Sequence, residues 1–196
     1  MIPPDPIERF RNAYALAEKI DRSILPDPSA MALGTVGERG EPSVRIVLLK
    51  GFDERGFVFY TNYEGRKGRQ LLSNPQAALC FHWPTLEVQV RVEGAVTKVA
   101  AKEADAYFAT RNRSSQIGAW ASRQSEPLET PGALGERVKK YETEFAGKDV
   151  PRPKYWSGFR VSPERIEFWK GKPNRLHERH LYTRVGADWK IETLYP

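Results

Sequence analysis

Between residues 86 and 99 the side chains alternate with a period of two. Leu86, Val88, Val90 and Val92 fall on one face, and Glu87, Gln89, Arg91 and Glu93 on the other. That period belongs to a β-strand with one face on a core, and no helix fits it. Similar apolar runs bounded by turn residues predict strands at 30–36, 43–50, 57–62 and 77–83. Gly37-Glu38-Arg39-Gly40 reads as a hairpin connection, and 51–56 as a further turn. Three closing strands are predicted at 158–161, 165–169 and from 180 through 189 onward, the last broken by Gly186.

Helices are fewer. Ile7, Phe10, Tyr14, Ala17 and Ile20 share one face of a predicted helix over 6–22, with Asp5 as its cap and Pro6 at its first position. A short helix is predicted over 64–72, closed by Asn74-Pro75, and others over 101–110 and 132–145. In the last of these Leu134, Val138, Tyr141 and Phe145 mark the buried stripe. Residues 122–131 read as a loop. Many strands with a few interspersed helices point to a mainly β fold closed as a barrel, since closure removes exposed edges. A doubly wound sheet would need a helix between nearly every pair of strands. A chain of 196 residues fits a single domain spanning 1–196.

The formal net charge is +6, from 31 Lys and Arg against 25 Asp and Glu. The basic residues gather at Arg66-Lys67, Arg111 to Arg113 and Arg175 to Arg179, an arrangement that suits several contacts to compact anions better than one long polyanion. No apolar run approaches the ~18 residues of a membrane span, and the first residues lack a basic segment leading into an apolar one. The lone Cys80 cannot form an internal disulfide and reads as a small core residue, which fits a reducing cytoplasm.

Candidate chemistry lies in several places. Residues 43–50 carry a cation near each end, Arg45 and Lys50, with no acid in the strand; a ligand anion or an acid on a neighbouring strand would answer them. Tyr60-Thr61 followed by Arg66-Lys67 places a hydroxyl and two cations beside a helix start, where amides favour phosphate, though a solvated basic loop has the same composition. Tyr107 and Arg111, four apart, share a helical face, with Ser115 just beyond the helix; together they offer donors for a second phosphate, or serve ordinary surface roles. Gln124 and Ser125 add neutral hydrogen-bonding groups. Residues 166–170 followed by 175–179 bring Trp169, Arg175, His177 and Arg179 within about one strand and one turn. Nucleotide-binding glycine loops, a Gly-x-Ser-x-Gly elbow and paired catalytic carboxylates are missing, and His82, His177 and His180 are too dispersed to suggest zinc. Phosphate-contact candidates without acid–base or nucleophilic pairs fit a protein whose chemistry comes from a bound cofactor.

The stretches Arg45-Ile46-Val47-Leu48-Leu49-Lys50, Phe59-Tyr60-Thr61-Asn62, Ser115 to Trp120, and Glu167-Phe168-Trp169 through Arg175-Leu176-His177-Glu178-Arg179 resemble the pyridoxamine 5′-phosphate oxidase family. The resemblance implies an FMN-binding split β-barrel and a homodimer, with each of two FMN sites built from both subunits. It places FMN contacts on Arg45, Ile46, Val47, Leu48, Leu49, Lys50, Tyr60, Thr61, Arg66, Lys67, Gln89, Gln124, Ser125, Trp169 and Arg179. It places substrate contacts on Lys50, Tyr107, Arg111, Ser115, Arg175 and His177, the last two also catalytic. The implied reaction is oxidation of pyridoxine or pyridoxamine 5′-phosphate to pyridoxal 5′-phosphate, with hydride passing to the flavin and O2 reduced to H2O2.

Two departures from the family pattern stand out. The longer N-terminal arm common in the family is missing or shortened before the first helix, and Lys170 stands where a smaller or less charged residue is usual. The competing expectations are a related flavin oxidase of another aromatic substrate, such as a phenazine precursor, and a non-catalytic flavin- or nucleic-acid-binding module.

Overall fold

The structure, a computed structural model, describes residues 2–196; Met1, and with it the chain start weighed above, lies outside the described residues. The strands are β1 (Ala30–Val36), β2 (Pro42–Leu48), β3 (Gly51–Asp53), β4 (Gly56–Asn62), β5 (Gln76–Trp83), β6 (Val88–Lys98), β7 (Trp156–Lys170), β8 (Glu178–Val185) and β9 (Asp188–Leu194). The helices are α1 (Pro6–Glu18), α2 (Arg66–Ser73), α3 (Ala101–Thr110), α4 (Arg113–Ala121) and α5 (Ala133–Glu144). All strand pairs given by the register are antiparallel, in the order β2-β1-β5-β6-β7-β4-β3, with β8 also on β7 and β9 on β8. The sheet curls into a split barrel.

Strand β7 organises the fold. Along one edge it pairs with β6 over most of its length; along the other it pairs first with β4, through Val161, and then with β8, from Arg165. The two predicted strands at 158–161 and 165–169 are therefore one. Pro163 has no N–H to give, but it falls where β4 has ended and β8 has not begun, opposite a bulge at Glu93/Gly94. A Cβ at Gly94 would sit 2.0 Å from the Ser162 carbonyl oxygen, so only glycine permits the crossing.

The core lies on the inner face, and the alternation read in β6 is correct: Val90 and Val92 are buried, Arg91 and Glu93 only partly. Helix α1 closes one mouth, its Phe10 against Phe52, Phe57, Phe81 and Trp83 with ring centroids 4.8–6.0 Å apart. Asp5 caps α1 through the Ile7 N–H at 2.8 Å, as the sequence indicates, but the helix ends at Glu18 rather than 22. A second cluster, with Phe108, Ile117, Phe145 and Trp156 buried, fastens α3, α4 and α5 over the other side.

Other expectations change. The turn at 51–56 contains the short β3, and 180 onward is the hairpin β8–β9, turned at Gly186 with φ +61°. Strand β6 starts only after a helical turn at Pro84–Leu86. Helix α4 is additional: the chain breaks helix at Arg111 and Asn112, both extended, and Asn112 caps the next helix by accepting from the Ser115 N–H at 2.8 Å. Of the α5 stripe only Phe145 is buried, and Leu134 is exposed. Cys80 is not in the core. It lies half-buried on the outer face because Leu79 and Phe81 take the inward positions of β5.

Candidate functional site

A basic cleft opens where β2, β4, α2 and α3 meet. One cavity of about 330 Å³ is lined by Arg45, Ile46, Val47, Leu48, Lys50, Tyr60, Thr61, Lys67, Tyr107, Arg111, Gln124 and Trp156. An adjoining one of about 360 Å³ shares Arg45 and Lys67 and adds Arg66 and Ser125. Most of the anion-contact candidates thus converge, from five separate elements and loops.

The cations here lack acids. Arg45 donates to Thr35 Oγ1 at 2.6 Å, to the Leu33 carbonyl at 3.2 Å and to Gln70 Oε1 at 3.3 Å, so the acid on a neighbouring strand that would have answered it is not there. Lys67 Nζ donates to Gln124 Oε1 at 2.8 Å and Thr61 Oγ1 at 3.3 Å, again neutral acceptors. Burial, then the nearby Arg45 charge, pushes the Lys67 pKa down; burial, then Arg66, does the same for Arg45. Arg111 is held over the Trp156 ring, its Cζ 4.6 Å from the centroid. Its Nη1 is buried without a hydrogen-bond partner, and burial lowers its pKa. Clustered cations, one with an orphaned N–H, fit an anionic ligand. The Ser125 hydroxyl accepts from the Arg66 N–H at 3.2 Å, docking the 122–131 loop on the start of α2.

An aromatic wall backs the cleft. Tyr60 and Tyr107 stack with centroids 4.0 Å apart and planes 14° apart, and Tyr60 stacks on Trp156 at 5.4 Å. Burial first, then the Glu103 charge, pushes Tyr60 up to about 12. Sequence reasoning missed Trp156 because it started the strand at 158; extending the alternation two residues back would have put Trp156, Gly158 and Arg160 on one face. Two expected residues stand apart: Leu49 points into the core, and Ser115 lies in the first turn of α4 rather than beyond a helix, without lining the cavity.

The remaining candidates are elsewhere. Gln89 pairs with Trp169, and Trp169 with Arg179, at the far end of β7 from Trp156. Thirteen residues separate the two tryptophans, about 40 Å along a strand rising ~3.3 Å per residue. His177 stands with its ring 4.5 Å from that of Trp169 and accepts from the Lys172 N–H at Nδ1 (3.2 Å), which leaves a neutral ring's proton on Nε2. Arg179 donates to Glu167 Oε1 at 2.8 Å and Arg91 to Glu167 Oε2 at 3.2 Å, so the buried carboxylate is held by two arginines. Arg175 is exposed, and Asn174 and Arg175 both have positive φ, 57° and 61°. Left-handed backbone at two consecutive non-glycine residues is strain of the kind found at ligand sites.

A family model described as pyridoxamine 5′-phosphate oxidase matches residues 17–170, and one described as the pyridoxine 5′-phosphate oxidase C-terminal dimerisation region matches 156–196. The chain belongs to this oxidase family. Both matches include most or all of β7. A pyridoxine/pyridoxamine 5′-phosphate oxidase from Myxococcus xanthus is 56% identical over 196 residues, covering 100% of this chain and 94% of the relative. One from Brucella anthropi is 59% identical over 172 residues, covering 87% and 85%. Among solved structures, PhzG from Burkholderia lata in complex with tetrahydrophenazine-1-carboxylic acid superposes with a TM-score of 0.91 at 30% identity, covering 99% of this chain and 94% of that one. A pyridoxamine 5′-phosphate oxidase-related, FMN-binding protein from Nostoc punctiforme shares the fold at a TM-score of 0.75 and 21% identity, each chain fully covered. The cleft and the Trp169–Arg179 pair lie at opposite ends of one strand.

Proposed function

We propose that the chain is an FMN-dependent oxidase of pyridoxine and pyridoxamine 5′-phosphates, working as a homodimer of one split-barrel domain per copy. Each site joins the cleft of one copy to the hairpin of the other. The observation that carries this reading is the cleft itself: its cations have no acid, while the other half of the expected site is about 40 Å away along β7. An apolar row beside the cleft supports the second copy, since Val44, Ile46 and Leu48 on β2 are 73%, 65% and 37% exposed. A cytoplasmic location fits the free thiol.

In this reading Arg45, Arg66, Lys67 and Ser125 hold the phosphate of FMN, with Thr61 and Gln124 on its neighbouring hydroxyl-bearing chain. Bound FMN supplies the hydride acceptor and, through O2, the route to H2O2. Lys50, Tyr107 and Arg111 would bind the substrate phosphate, with Ser115 beyond the lining of the cavity. Gln89, Trp169 and Arg179 of the second copy would complete the hold on FMN. Arg175 and His177 of that copy would orient the reacting carbon by hydrogen bonds to its oxygen or nitrogen. The strained Asn174–Arg175 backbone fixes the direction of the Arg175 side chain before substrate arrives.

The likeness to PhzG raises the phenazine-precursor alternative, whose carboxylate could also meet the Arg111 Nη1 N–H; the higher identity to pyridoxine/pyridoxamine 5′-phosphate oxidases, 56% against 30% for PhzG, favours the phosphorylated pyridines. The test is peroxide release by the flavin-loaded protein with phosphorylated and unphosphorylated pyridoxine. Turnover confined largely to the phosphorylated form is the expected result. Equal rates with both, or a protein that neither contains nor takes up FMN, would defeat the reading.

A further inference from the structure

We infer that Arg160 is a positioning residue for the substrate phosphate, acting through Glu103 on α3 to fix where Tyr107 and Arg111 stand. The inference rests on the oxidase reading above and extends it to a pair of residues outside the ligand cleft.

Helix α3 is short, 10 residues, and its N-cap Ala100 makes no side-chain capping bond. A helix of this length is marginal without tertiary anchors. Its anchor at the first turn is ionic: Arg160 Nη2 donates to Glu103 Oε1 and Oε2 at 2.9 and 3.2 Å. Arg160 is buried on β7, and its other nitrogen, Nη1, donates to Asp53 Oδ1 on β3 at 3.0 Å. The fork therefore ties the helix to two strands at once, with one nitrogen for each carboxylate in a fixed geometry that a single ammonium nitrogen does not reproduce.

The helix and the strand are in step. Glu103 and Tyr107 lie four apart on α3, a rise of ~6 Å, with Arg111 four further on as its C-cap, while Arg160, Gly158 and Trp156 recur every two on β7, about 6.6 Å. Three rungs result. Glu103 meets Arg160. Tyr107 stacks on Tyr60, whose ring lies over Gly158, where a Cβ would come within 2.8 Å of it. Arg111 lies over Trp156. The second and third rungs are stacking contacts that permit sliding; the first is directional. Asp105 on α3 is also tied to Arg152, at 2.6 Å; with the first rung lost that pair alone holds the helix ionically, and the helix pivots about it, carrying its C-cap residue Arg111.

The test uses flavin-loaded holoenzyme and two variants, Glu103→Gln and Arg160→Lys. Glutamine keeps the size and a hydrogen bond while Arg160 retains Asp53, so the fold has its best chance of persisting. The readouts are KM and kcat for pyridoxine 5′-phosphate, and the inhibition constant of inorganic phosphate. A displaced phosphate clamp raises KM and the phosphate inhibition constant together, about tenfold in Glu103→Gln, with kcat at saturation within about twofold of wild type. Arg160→Lys, keeping one carboxylate at a time, falls between Glu103→Gln and wild type. Unmoved KM and inhibition constant would overturn the inference, as would a fall in kcat alone, which marks general structural damage. A wild type inactive on phosphorylated substrate would take down the functional reading as well; an active wild type with unmoved variants takes down only this one.

Discussion

The two ends of β7 treat charge in opposite ways. At the Trp169 end Arg179 and Arg91 share the buried carboxylate of Glu167, so the arginines are neutralised within the chain. At the Trp156 end Lys67, Arg45 and Arg111 face neutral acceptors, an aromatic ring or nothing. Both ends carry comparable residue types, so composition does not distinguish them. Pairing does. A cation with its acid in place holds a shape; a buried cation without one destabilises the free protein and is answered by what binds. The cleft therefore suits an anion, while the other end of β7 has its acid within the chain.

That contrast breaks most readily at the hairpin. Arg175→Ala is expected to lower turnover on the order of 10²- to 10³-fold while FMN content stays near wild type, as steady-state kinetics and the visible spectrum would show. Loss of FMN with an unchanged rate per remaining flavin would contradict it. Next comes Arg111→Met, expected to raise KM for phosphorylated substrate about a hundredfold without lowering the melting temperature of the flavin-free protein, because methionine fills the site and removes an orphaned N–H.

The third comparison sets Glu167→Gln against Lys67→Met in chemical denaturation of the flavin-free protein. The first leaves two arginines short of their acid and is expected to cost about 2–3 kcal/mol, discounted for the partial exposure of both. The second removes a half-buried cation that has neutral acceptors but no acid and is expected to cost less than the first, while weakening FMN binding at least about tenfold in a fluorescence titration. Equal destabilisation by both would erase the distinction between the two ends. The smallest effect is with pH. Tyr60, with its pKa raised to about 12, favours folding while neutral. That contribution is intact below the ordinary tyrosine pKa of ~10 and is lost as pH rises through about 12. Tyr60→Phe should remove this part of the alkaline stability loss, and an unchanged profile would count against the burial of its hydroxyl.

Much of the barrel could be read from alternation because inner and outer faces differ in polarity along β6. The rule misleads for Cys80, because small apolar Ala78 and Cys80 sit on the outer face of β5 between Gln76 and His82, and on β2, where Val44, Ile46 and Leu48 are the exposed face and Ser43 and Arg45 lie on the half-buried one. On β2 the period-two contrast is inverted, just where a second copy is proposed to pack. Helix α4 was missed because its break from α3 carries no glycine or proline at Arg111 or Asn112, only extended backbone. Pro163 misled in the other direction, splitting a strand that the bulge at Gly94 keeps whole. The residue identities of the cleft were available from sequence, but spacing says nothing of which elements meet. The register of β7 puts the residues that the resemblance assigns to one site at two ends of a strand.

Whether two copies complete one site is tested most directly by complementation. Arg111→Ala and Arg175→Ala, each nearly inactive alone, would be co-expressed with different tags and the mixed dimer purified. In that dimer one site carries both lesions and the other carries neither, so about half the wild-type turnover per dimer should return. A mixed dimer as inactive as its parents would mean that cleft and hairpin of the same copy serve one ligand, and the shared-site account would be wrong.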